Sequence, residues 1–171
     1  MDDVVSALVI GVMLGGIYAL IALGLNLIFG VIRVVNFAHA ELVMLGMYGT
    51  LLAVNLLHVE PYVSIVLVVP ALFLVGLLIQ RFIIQPLQNE HMMQMFATFA
   101  LLTILQNAVL MFTRGEGFSV TTALASHGFD VADVRVTATR FIVFASVTVL
   151  AVLLHYFLQR TLTGKSIRAV T

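Results

Sequence analysis

The feature that most constrains this chain is a series of five long apolar runs, nearly free of charge. They cover Val4 to Ile32, Leu42 to about Leu57, about Val63 to Ile84, about Phe96 to Phe112 and about Phe141 to Leu158. A helix that crosses a bilayer needs about 20 apolar residues. The first run exceeds that length, so it must tilt, bend or extend beyond the lipid. Of the 171 residues, 62% are hydrophobic and 9% are charged, against about 45–50% and about 25% in soluble domains. Polar surface is too scarce to coat a globule, and lipid is the solvent for most of the chain. Peptide groups in lipid must be paired within the protein, which leaves helices or closed barrels. The runs are continuous rather than alternating, and this selects helices. The expected fold is all-α: a polytopic transmembrane helical bundle of about five spanning segments in one domain, residues 1–171.

Other function classes fall away on composition. Eight basic and eight acidic residues balance, so no basic face is available for nucleic acid. Cysteine is absent, which removes disulfides and thiolate metal sites. The acidic start, Met1-Asp2-Asp3, followed by a long apolar run, is unlike a cleaved secretory signal and reads as a permanent span. "TGKS" at Thr163–Ser166 resembles a phosphate loop, but Gln159 stands where that motif has its first glycine, and a membrane span precedes it rather than a strand. The chain is expected to bind no nucleotide, cofactor or metal and to catalyse no reaction itself.

The connections divide into short and long. His58–Tyr62 reads as a tight turn stopped by Pro61. Gln85–Gln94, "QPLQNEHMMQ", reads as a polar loop. Thr113–Arg140 is the one long connection, and Pro70 predicts a kink in the third span. Placing the tail with Arg160, Lys165 and Arg168 in the cytoplasm puts five basic residues inside and three outside.

Polar residues inside apolar runs are the candidates for function. Gly11, Gly15 and Ala19 recur every fourth residue on the first span, a spacing that admits a close helix neighbour. Asn26 lies deep in the same span, and Gln106 and Asn107 are a polar pair in the fourth. Amides in hydrocarbon seek partners, and an ordinary packing bond to a neighbouring helix outweighs direct ligand contact as their explanation. Thr98 and Thr103 are compatible with bonds back to their own helix. The densest cluster is "VVNFAHAELVML", Val34–Leu45, where Asn36, His39 and Glu41 follow Arg33. One reading is local: Asn36 caps the second helix, Glu41 favours its positive end, and Arg33 pairs with Glu41. The other is an interrupted helix lining a cavity, as in transporters. No further His or carboxylate stands near enough in sequence to complete a metal ligand set.

The stretch "GGIYALIALGLNLIFGVIRVVNFAHAELVMLGMYG", Gly15–Gly49, resembles the first signature block of the branched-chain amino acid permeases of bacterial ABC importers. The urea and amide permeases of that family look similar. "ILQN" at Ile104–Asn107 fits the fourth-span pattern, and "TLTGKSIRAVT" at Thr161–Thr171 resembles the segment that leads into the ATPase-docking loop. The resemblance implies a multi-pass permease in the bacterial cytoplasmic membrane. Its implied partners are a second, similar permease, two cytoplasmic ATP-binding subunits that hydrolyse ATP, and a periplasmic substrate-binding protein. Asn26, Asn36, His39, Glu41, Gln106 and Asn107 are its candidates for the path or gate, and Lys165 and Arg168 would flank the ATPase contact.

The chain departs from the family in three respects. Ala40 stands where members usually carry Gly, which predicts a less permissive turn. The loop before the fourth span has no Lys or Arg. Members are typically far longer, so the chain reads as the N-terminal part of a permease. A permease for urea or short amides, an independent channel or a non-transporting fragment are the alternatives. Because native cysteine is absent, orientation has a direct test. An impermeant thiol reagent added outside is expected to label Ser126→Cys and spare Ser166→Cys; the reverse pattern would invert the topology.

Overall fold

The computed structural model describes residues 2–32, 35–120, 122, 128–131 and 134–161. Five α-helices dominate them: α1 (Asp2–Ile32), α2 (His39–Leu57), α3 (Ile65–Ile79), α4 (His91–Thr113) and α5 (Ala138–Arg160). Each of the five contains or lies within a stretch long and apolar enough to cross a membrane. Alpha-1 has 31 residues and is about 46 Å long at about 1.5 Å per residue, beyond a hydrocarbon core of about 30 Å. Large apolar side chains are widely exposed along every helix, for example Val66, Phe73, Met111 and Phe112. That pattern is the one expected of a protein whose solvent is lipid. The all-helical, multi-span expectation holds, and the chain is a multi-pass membrane protein.

The boundaries correct the sequence reading in two places. The polar stretch 85–94 is not a loop throughout. Gln85–Leu87 is a 3-10 turn, and α4 already begins at His91. The third span stays helical through Pro70, and α3 continues to Ile79. Its regular ladder gives way later, at a π-helical segment, Gln80–Ile84, where Gln85 N–H bonds the Gln80 carbonyl. In the long connection, β1 (Gly128–Val131) and β2 (Val134–Thr137) form a two-stranded antiparallel hairpin with Gly128 opposite Thr137. Its four-residue strands are too short and too sparsely apolar to have stood out as strands.

The helices fall into two compact units, one of residues 1–33 and 121–171, the other of 34–120. In the first, α1 packs on α5. The approach runs through Gly16, where an added Cβ would meet Phe144 Cδ2 at 2.9 Å. Val147 of α5 is buried beside this contact. Thr122 and Thr139 hydroxyls bond each other at 3.2 Å. At Gly11 and Gly15 nothing lies within 4 Å of an added Cβ. The small-residue stripe therefore faces away from α5.

In the second unit α2, α3 and α4 pack with the 80–87 segment. Small residues again set the approach. An added Cβ at Gly46 would sit 3.1 Å from Leu72 Cδ1, and one at Gly49 would sit 3.4 Å from Val68. Ala53, one turn on, is buried. Alpha-4 ends at Thr113 and is followed by Arg114 at φ 54° and Gly115 at φ 74°. Glycine reaches that region without a Cβ clash, which lets the chain reverse there.

The two glycine environments on α1 separate in a stability measurement. Gly16→Leu is expected to overpack the Phe144 contact and destabilise the protein by about 1–3 kcal/mol. Gly15→Leu should change thermal stability in detergent far less. Equal losses would show that the α1–α5 contact is not set at Gly16.

Candidate functional site

The densest polar cluster becomes a turn that feeds α2. Asn36 is buried, and its Oδ1 accepts the Ala38 N–H at 3.0 Å. Its carbonyl accepts the His39 N–H at 3.2 Å, and the Ala38 carbonyl accepts the Leu42 N–H at 3.1 Å to begin the helix. Asn36 does not cap α2 as expected: Ala38 holds the cap position, with no side-chain cap bond, and Asn36 instead bonds two residues along within the preceding turn. Glu41 lies in the first turn of α2, where the helix dipole favours a carboxylate. Arg33 lies outside the described residues, so the Arg33–Glu41 pair does too. His39 and Glu41 are half-buried.

Ala40 is the second residue of α2 and is helical. The position therefore needs no positive φ, and among the described residues only His58, Arg114 and Gly115 adopt one. Alanine is the best helix former, so the departure from the family pattern favours the helix start instead of straining a turn.

Alpha-4 holds this turn in place. Phe37 N–H donates to Thr98 Oγ1 at 3.4 Å. Thr98 Oγ1 donates in turn to the Met95 carbonyl at 3.0 Å. The Phe37 and Phe99 rings meet edge to face, with centroids 6.3 Å apart. Sequence reasoning assigned Thr98 only a bond back to its own helix. That bond exists, but the same oxygen also satisfies a turn amide 61 residues away in sequence. Thr103 does bond back, to the Phe99 carbonyl at 3.1 Å.

The remaining candidates are dispersed. Asn26 is exposed on α1. Gln106 and Asn107 are exposed on α4, and the Asn107 amide donates to the Thr103 carbonyl at 2.7 Å. Gln106 lies eight residues beyond Thr98, about 12 Å along the helix axis, so α4 does not bring this pair to the Asn36 turn. Lys165 and Arg168 lie outside the described residues. Among the described residues no group of three or more His, Asp or Glu is placed to hold a metal.

Beyond these residues, α2 and the C-terminal end of α4 flank an open apolar cavity of about 410 Å³. Leu45, Leu51, Val109 and Phe112 form its walls, with Tyr48, Asn55 and Thr113 as its polar members. The Thr113 hydroxyl is engaged with the Val109 carbonyl at 2.9 Å, which leaves the Tyr48 phenol and the Asn55 amide as the groups that give the cavity polarity. No single sequence motif marks it, because its lining comes from positions scattered along two helices and the turn that follows.

Comparison with known proteins places this architecture. The family model described as "Branched-chain amino acid transport system / permease component" matches residues 7–171. The chain belongs to this permease family. The high-affinity branched-chain amino acid transport system permease protein BraD of Pseudomonas aeruginosa is 26% identical over 175 residues, 95% of this chain and 57% of BraD. LivH of Salmonella typhimurium, of the same description, is 31% identical over 108 residues, 58% of this chain and 35% of LivH. LivH of Escherichia coli is 53% identical over 38 residues, 22% of this chain. The chain thus spans little more than half the length of BraD. No solved structure matches.

The Asn36 bond is expected to matter more than the exposed amides. Asn36→Ala leaves the fully buried Ala38 N–H without its acceptor and should destabilise by about 1–3 kcal/mol. Asn107→Ala removes an exposed bond within one helix and should fall within about 0.5 kcal/mol of the parent. Comparable losses in unfolding measurements would show that the turn does not depend on Asn36.

Proposed function

We propose that this chain acts as the membrane subunit of an ABC importer that moves branched-chain or related small amino acids across the bacterial cytoplasmic membrane. The observation that carries the proposal is the family match across residues 7–171, reinforced by five helices with the length and composition of membrane spans. The subunit performs no covalent chemistry. It works with a second, similar permease, two cytoplasmic ATP-binding subunits and a periplasmic binding protein, and its motion is alternating access. ATP-driven closure of the partner subunits opens the path between the two permeases to one side and then to the other.

Asn36, His39 and Glu41 stand at the entry of α2, where irregular backbone precedes the helix and Asn36 and Ala38 are buried. Such interruptions in membrane proteins occur where backbone lines a cavity or is buried in protein, which supports a role for this turn beside the path or its gate. Asn26, Gln106 and Asn107 are the further polar groups assigned to the path, and Lys165 and Arg168 to the ATPase contact. An aliphatic cargo suits the cavity between α2 and α4, whose walls are Leu, Val and Phe.

The test is uptake. The full-length permease, co-expressed with its second permease, ATP-binding subunits and binding protein, is expected to take up labelled leucine saturably. Uptake should fall to background when the ATP-binding subunits are inactivated. Uptake that survives this inactivation would overturn the ABC assignment, and preferential uptake of urea would reassign the cargo.

A further inference from the structure

Alpha-4 buries the wrong residues for a helix in lipid. Met92, Met93, Met95, Phe96 and Phe99 are exposed, while Gln94 and Thr98 retain only 2% and 1% of their surface. The two are four residues apart and so share one face. Each reaches backbone in a different segment. Gln94 Nε2 donates to the Ile84 carbonyl at 3.3 Å, where the π-helical segment gives way to the 3-10 turn. Thr98 Oγ1 accepts from Phe37 N–H, in the turn that leads into α2. In each of these segments the ordinary helical ladder lapses, as it also does at 58–64 and 114–120, and a backbone group freed by such a lapse inside lipid must find a partner within the protein.

We propose that Gln94 and Thr98 are positioning residues that fasten the 35–38 turn and the 80–87 segment to one face of α4, so that the two irregular segments shift together. Thr98 is fully engaged, since its hydroxyl accepts from Phe37 and donates to Met95. Gln94 is engaged at one end only, because its buried Oε1 has no hydrogen-bond partner. Gln94→Met therefore removes the tie and also relieves an unsatisfied acceptor, so it should fold. The coupling involves no cargo and is independent of the transport reading.

The experiment uses the full-length permease on a cysteine-free background in lipid nanodiscs. Nitroxides at Val35→Cys and Phe82→Cys report the distance between the two segments by pulsed electron paramagnetic resonance. The parent should give one narrow distribution. Thr98→Val and Gln94→Met should each at least double its width, while Thr98→Ser, which keeps the hydroxyl, should restore it. Size-exclusion profiles matching the parent verify folding. A width unchanged by Thr98→Val or by Gln94→Met overturns the proposal, as does a Thr98→Ser variant as broad as Thr98→Val.

Discussion

A peptide group inside hydrocarbon has no water to bond, and this constraint organises the protein. Regular helix satisfies it locally for most of the chain. Where the ladder changes or stops, backbone turns bridge part of the gap, and at several points a side chain completes it. The α2 entry is completed by Asn36 and Thr98. The end of the third span is completed by Gln94. Ser64, buried in the turn before α3, donates to the Pro61 carbonyl at 2.6 Å. The buried polar residues of the second unit, Asn36, Ser64, Gln94 and Thr98, are all accounted for by this one requirement.

Side-chain burial plays a smaller part. The large apolar residues are mostly outside, and the buried apolar ones are chiefly small or at helix contacts, such as Ala38, Ala53 and Ala138. Lipid is as apolar as leucine, so helices gain little by hiding leucine from it. They gain by approaching closely. Gly16 against Phe144, and Gly46 and Gly49 against Leu72 and Val68, provide that approach. The stripe of Gly11 and Gly15 has a spacing that admits a close neighbour, but has no such neighbour among the described residues. Spacing alone therefore does not say which small-residue face a helix uses.

These two rules connect the fold to the permease reading. A turn that is buried, bonded and pinned to a neighbouring helix can interrupt a span without exposing peptide groups to lipid. It places Asn36, His39 and Glu41 at a defined point of the structure. Ala40, which departs from the usual family residue, extends the helix at that point, so the departure is compatible with the same turn. The cavity between α2 and α4 lies toward the other end of these helices, as its lining by Leu51, Asn55, Phe112 and Thr113 shows.

The sequence by itself determined the class of solvent, the helical backbone and the five spans, because run length and charge density depend only on local composition. It also determined the family, through Gly15–Gly49 and the motifs that follow. It took Asn36 for the cap of α2, where the structure has Ala38; the Asn36 side chain acts one step earlier, on the Ala38 amide of the preceding turn. It misread Gln94 as loop and Thr98 as ordinary helix, because the partners of both, Ile84 and Phe37, are distant in the chain. Only tertiary structure decides which backbone groups are left open by a π turn or a helix entry, and which side chain from another helix closes them. It likewise chose Gly16 over Gly11 and Gly15 as the α1 contact, since close approach is a property of two surfaces.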